Sequence, residues 1–262
     1  MAQAGWILYS IVIAFVSISV FAIALWFVRQ RVSHHKLRKH HDVAGFLLGT
    51  IGVLYSVILG FTVVNAKERY TQAANTIHIE ATMLADLYRD SAFFPEPSRT
   101  TIRAGLRGYV KYVLEEEWSG RRDHLRAQRA IQNLWKGYHG VALSDASVQI
   151  WYSQSVSKID NLMNARLSRQ FYAHEQLGGM MWTLLILGGV ITVSFIFFFG
   201  LESLMNQLLM TSLLVGYLSF MLYLVYCLDN PFKGSQAIRP TALEQSLVFF
   251  DELDQGISLN MK

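Results

Sequence analysis

The sequence predicts an all-α membrane protein: four transmembrane helices arranged as two hairpins, with a helical extramembrane domain between them. Three observations predict it. Four windows, 6–28, 43–64, 180–200 and 208–228, contain no Asp, Glu, Lys or Arg over 23, 22, 21 and 21 residues. The other 175 residues hold all 42 charges, a density of 24% against 16% for the whole chain, which is the ordinary density of a soluble domain. The segment between the second and third windows repeats its apolar residues at helical spacing. About 20 apolar residues at 1.5 Å each cross a hydrocarbon core of ~30 Å, and backbone groups in lipid must be paired within the segment, so each window is expected to be a helix. The pattern excludes a water-soluble globular enzyme, a disordered chain and a secreted disulfide scaffold; Cys227 is the only cysteine.

The expected organisation is a first transmembrane hairpin at 1–64, a helical domain at 65–179, a second hairpin at 180–228 and a tail at 229–262. Trp6, Tyr9 and Trp26 lie at the ends of span one, and Trp182 and Tyr226 near the ends of later spans, where amphipathic rings prefer the interface. Ala22-Ile23-Ala24 imitates a signal cleavage site, but no basic residue precedes the span and its apolar run is long, so a retained helix is expected. The loop at 29–42 carries Arg29, Arg31, Lys36, Arg38 and Lys39. The positive-inside rule places it in the cytoplasm and the N-terminus outside, although Lys67, Arg69, Arg166, Arg169, Lys233 and Arg239 then face outward. His34, His35, His40 and His41 are interleaved with these cations, an arrangement suited to anionic headgroups rather than to a metal.

On span two, Gly45, Gly49, Gly52, Ser56 and Gly60 recur at steps of 4, 3, 4 and 4. Such a small face either packs closely against another helix or lines a path that holds no fixed charge. Asn65 and Glu68 are placed at the mouth of that path, and Tyr55 against a neighbouring helix. Because no breaker follows Val64, the span should continue into a helix with the stripe Ala73, Ile77, Ala81, Leu84 and Tyr88, ended by Pro95 and Pro97. Ser98 is the expected N-cap of the next helix, with stripe Ile102, Leu106, Tyr109 and Val113. Glu115, Glu116 and Glu117 read as a solvated run, and Gly120-Arg121 as a turn before a helix at about 123–138. Ser144 can cap a last helix with stripe Val148, Trp151, Tyr152, Ile159 and Leu162, running to a hinge at Gly178-Gly179. Glu80 lies 16 residues past Val64 and Arg166 lies 14 residues before Met180, roughly 24 Å and 21 Å at helical rise. A buried charge needs a partner, so a Glu80–Arg166 pair is expected to clamp the two helices.

Span four carries Ser212, Gly216, Ser219, Tyr223 and Tyr226 on one polar face. Asp229, Pro231 and Gly234 close it, and Thr241-Ala242-Leu243-Glu244 fits a capping box opening an amphipathic helix with Leu243, Leu247 and Phe250 on one side and an acidic end of Asp251, Glu252 and Asp254. No span contains an ionisable carboxylate, Lys, Arg or His, which argues against proton coupling and leaves passive conduction open. No serine-nucleophile elbow or zinc-protease pattern appears. The chain is not expected to be an enzyme, nor to hold a cofactor or metal or bind nucleic acid.

The runs His41-Asp42-Val43-Ala44-Gly45-Phe46 and Gly52-Val53-Leu54-Tyr55-Ser56-Val57-Ile58-Leu59-Gly60-Phe61, with Glu80-Ala81, Leu84, Leu87-Tyr88-Arg89, Glu117-Trp118 and Asp229-Asn230-Pro231-Phe232-Lys233-Gly234, resemble a bacterial family of four-span membrane proteins labelled bestrophin-like. The resemblance covers roughly 40–240; it departs at Asn65-Ala66-Lys67, where typical members have a tryptophan shortly before the glutamate matching Glu68. It implies a homo-oligomeric ion channel of the bacterial plasma membrane whose pore is lined by span two, with the bilayer and inorganic ions as partners. Glu68 and Asn65 weigh towards cations and the family towards anions. The alternative reading is a membrane-anchored scaffold or sensor whose helical domain binds a protein; a small transporter is disfavoured because no inverted repeat is visible.

Overall fold

The computed structural model describes residues 2–31, 41–118, 124–143, 145–198, 203–234 and 236–256. Among them the chain is helical, with α1 (Ala2–Arg31), α2 (His41–Asp90), α3 (Ser98–Tyr112), α4 (His124–His139), α5 (Ala146–His174), α6 (Gly179–Ile196), α7 (Leu204–Asp229) and α8 (Thr241–Asp254), and no strand among the described residues. Helices α1, α2, α6 and α7 carry the four apolar windows. At most 28% of the most apolar stretch of any candidate span is buried; such uncovered apolar surface requires lipid or another chain. The histidines 34, 35 and 40, Gly120, Arg121 and Ser144 lie outside the described residues.

Two compact units form, Met1–Thr71 with Glu175–Ile238 and Gln72–His174 with Arg239–Lys262. In the first, α1 lies along α7. Trp6 and Phe220 bring their rings to 5.7 Å, and a Cβ on Gly216 would sit 3.5 Å from Ile18 Cδ1. The polar face of α7 is therefore covered in part by its own chain: Ser219 and Tyr223 are buried and Ser212 is half-buried, while Tyr226 is exposed. Helix α2 packs on α6 through Tyr55, whose hydroxyl donates to the Leu185 carbonyl at 3.1 Å. The ring lies over Gly188 and Gly189, so a Cβ on Gly188 would fall 2.6 Å from Tyr55 Cδ2. Gly188→Ala is expected to lower the melting temperature of the purified protein in detergent, with an overpacking cost of about 1–3 kcal/mol. Gly178→Ala, where an added Cβ meets nothing within 4 Å, should leave it unchanged.

The second unit buries most of the stripes read from the sequence, with Ala81, Val148, Trp151 and Tyr152 only half-buried. Ala73, Ile77, Leu84 and Tyr88 of α2, and Ile102, Leu106, Tyr109 and Val113 on the α3 side, are at most 2% exposed, as are Ile159 and Leu162 of α5. Helices α3 and α4 cross at van der Waals distance because glycines face each other's backbone: a Cβ on Gly105 would be 2.9 Å from Leu134 Cα, and one on Gly137 2.9 Å from Ile102 N. Helix α8 docks Phe250 flat on Tyr88, ring centroids 4.0 Å apart. Arg103 and Arg107 of α3 bind Asp254 at 2.7 and 2.8 Å, and Arg107 binds Asp251 at 2.6 Å. Burial works against the charged form of Asp254, but the Tyr88 hydroxyl and the two arginines hold its carboxyl below the usual range.

Several boundaries differ from expectation. Helix α2 ends at Asp90 in a 3-10 turn, Ser91–Phe93, before the prolines. Ser98 does not cap α3; the Glu96 carboxylate accepts from Thr100 N at 3.2 Å instead. Likewise α8 begins at Thr241 without a side-chain cap, so the capping box does not form. Helix α5 stops at His174, and the non-helical residues 175–178 precede α6.

Candidate functional site

The membrane part of α2 has three faces. Tyr55, Leu59, Thr62 and Ala66 are buried. Beside them runs the small stripe: Gly45 and Gly52 are half-buried, Gly49, Ser56 and Gly60 are exposed, and a Cβ on Gly49, Gly52 or Gly60 would meet no atom within 4 Å. Next comes a bulky exposed row, with Val53, Val57 and Phe61 at 62%, 50% and 68%. Asn65 does not belong to the stripe. It stands five residues after Gly60 on an unbroken helix, a rotation of about 140°. Lys67, seven residues after Gly60 and exposed, returns to within about 20° of Gly60. Glu68 is exposed and lies about 80° round from Gly60.

At the end of α7, Asp229 is 5% exposed. Its Oδ1 accepts from the Leu177 backbone N–H at 2.6 Å and its Oδ2 from the Trp182 indole at 3.1 Å. Arg69 of α2 lies 4.0 Å from Oδ1 and also donates to the Glu175 carbonyl. Asn230 accepts from Gln176 at 2.7 Å and donates to the Tyr226 carbonyl at 3.0 Å. Pro231 accepts from Ile238 N at 2.8 Å, Gly234 turns the chain at φ +81°, and the Tyr70 hydroxyl donates to the Gln236 carbonyl at 3.0 Å. Asp229, Pro231 and Gly234 thus end α7 and also fasten it to α2 and to the start of α6. The partners Arg69, Leu177 and Trp182 were not anticipated. The only sequence signal was an acid at the edge of an apolar span, which needs partners if buried.

In the second unit Glu80 is completely buried, but its partner is not Arg166. Arg169 donates to Glu80 through Nε at 2.7 Å and Nη2 at 3.1 Å, and the Tyr109 hydroxyl donates at 2.6 Å. Arg166 binds Glu117 instead, and Arg169 reaches that carboxylate at 2.8 Å. Arg166 and Arg169 sit one turn apart on the stripe of Ile159 and Leu162, so the expected pairing is displaced by three residues. Glu117 is likewise no solvated charge. The π turn Val113–Glu117 follows α3, and the Glu117 side chain is 9% exposed. Burial pushes its pKa up, but Arg166 and Arg169 outweigh this and hold it below the usual carboxylate range. Burial and the adjacent Glu80 charge keep Tyr109 protonated well above the ordinary phenol range. Four charged groups of zero net charge and a phenol thus tie α2, the π turn and α5 together.

The bestrophin-like domain matches residues 7–243. No curated protein matches the chain. Among solved structures, a leucine-to-threonine variant of a bacterial bestrophin homologue from Klebsiella pneumoniae is similar with a TM-score of 0.69 at 16% identity, covering 94% of this chain and 98% of that one. A structure of that homologue phased on zinc gives 0.62 at 13% identity, covering 94% and 97%. A proline-to-alanine variant of a membrane protein gives 0.67 at 14% identity, covering 95% and 99%. At these identities the likeness carries the fold, and the domain match carries the family. The chain, an all-α membrane protein, belongs to the bestrophin-like family.

Proposed function

We propose that the protein is a passive ion channel of the bacterial plasma membrane, assembled as a homo-oligomer with α2 lining the path. The cytoplasmic reading of the basic loop puts the N-terminus outside. The observation that carries this reading is the uncovered small stripe Gly49, Gly52, Ser56 and Gly60, flanked by a face seated on α6 through Tyr55. A stripe without fixed charge offers ions weak, exchangeable contacts. Lys67, rather than Asn65 or Glu68, continues it, so the charge at that end is positive. This supports anions over cations.

The test is ion flux in liposomes carrying the purified protein. Gly60→Leu is expected to cut flux at least tenfold, and Lys67→Glu to move the preference from chloride towards potassium. Full flux in Gly60→Leu with altered flux in Phe61→Ala would put the bulky row on the axis. No flux at any potential would leave the scaffold reading.

A further inference from the structure

Within the second unit, α3 and α4 enclose a groove of about 480 Å³, a size typical of small-molecule sites. Its existence follows from residue size. Ala104, Gly105, Gly108 and Ala130 form a floor with no side chain beyond Cβ, and Gly108 has no atom within 4 Å of where its Cβ would be. Charge surrounds the floor. Lys111, Arg126, Arg129 and Lys136 line the groove, against the two acids Glu115 and Glu116. Glu116 is paired with Arg126. Lys111, Arg129 and Lys136 make no ion pair among the described residues and stand in solvent.

The two helices run antiparallel, since Gly105 meets Leu134 and Gly137 meets Ile102. Lys111 therefore lies near Arg129, and Lys136 lies towards the opposite end, about 10 Å further along α4. Clustered cations repel one another, and a bound anion relieves that repulsion while taking charge-assisted hydrogen bonds. The net excess of two positive charges matches a dianion, and the floor of small residues leaves room for a body lying on it.

We infer that this groove binds a phosphate-bearing small molecule of nucleotide size, its phosphate held by Lys111 and Arg129. The site is distinct from the path along α2, and its occupancy is read without any flux, so it stands or fails independently of conduction. The test is isothermal titration of the purified full-length protein with AMP, with inorganic pyrophosphate and with adenosine. Saturable AMP binding is expected, weakened at least tenfold in K111Q/R129Q and by 0.5 M salt, with no binding of adenosine. Gly108→Leu, which fills an open space, should abolish binding without lowering the melting temperature. Equal affinity for pyrophosphate would support the site while assigning its ligand to the inorganic phosphates. Absence of saturable binding by AMP and pyrophosphate, or binding unchanged in both variants, would overturn the proposal.

Discussion

Arg169→Met is expected to destabilise the extramembrane domain by about 3–5 kcal/mol, the cost of leaving a buried charge without its partner. The Arg169 side chain is 6% exposed and that of Glu80 is 0% exposed. Without Arg169 the Glu80 carboxylate keeps only the Tyr109 hydroxyl, and it must take up a proton or rearrange the core. Arg166→Met removes one partner of Glu117 but leaves Glu80 bound, so it should cost clearly less. Chemical unfolding of the two variants separates the cases: an equal or larger loss for Arg166→Met would restore Arg166 as the partner of Glu80. The same network gives an acid limb. A carboxylate whose folded pKa lies below its unfolded value of about 4.3 contributes stability that is complete above that value and is lost as pH falls through the folded pKa. Glu117 is such a group, so Glu117→Gln should flatten the loss of stability below about pH 4.

That network shows where sequence arithmetic succeeds and where it fails. The four spans were legible because the absence of charge is a property of composition, independent of three-dimensional context. The stripes of α2, α3 and α5 were legible because burial repeats with the helical period. The need of Glu80 for a partner was legible too, but the identity of the partner was not. The height of Arg166 was counted along a continuous helix back from Met180, whereas residues 175–178 are not helical. A count at about 1.5 Å per residue does not hold through a non-helical stretch, so height alone does not identify the partner. Glu117 was missed for a related reason: the π turn inserts a residue into the helical repeat and re-aims the side chains that follow. Asn65 failed on rotation alone, since a step of five residues leaves the stripe that steps of three and four maintain.

Asp229→Asn is expected to cost about 3 kcal/mol in the membrane unit, because it changes the chemistry of a buried group while keeping its shape. Both Asp229 oxygens accept, one from Leu177 N–H and one from the Trp182 indole. An amide offers one acceptor and one donor, so one N–H must then face another N–H. Arg69, 4.0 Å from the carboxylate, loses its negative neighbour as well. Trp182→Phe removes a single bond and leaves the carboxylate paired, so it should cost only about 1 kcal/mol. Thermal melting in detergent ranks the variants, and a double-mutant cycle with Arg69→Met isolates the Arg69–Asp229 coupling. The residues joined here belong to α2, to the segment that opens α6 and to the end of α7. A helix that rotates by one residue turns through about 100°, enough to exchange the small stripe of α2 for its bulky row. If α2 lines the path, the Asp229→Asn protein should therefore lose flux at temperatures where it is still folded. Wild-type flux and wild-type melting together would show that the carboxylate fixes neither the junction nor the rotation of α2.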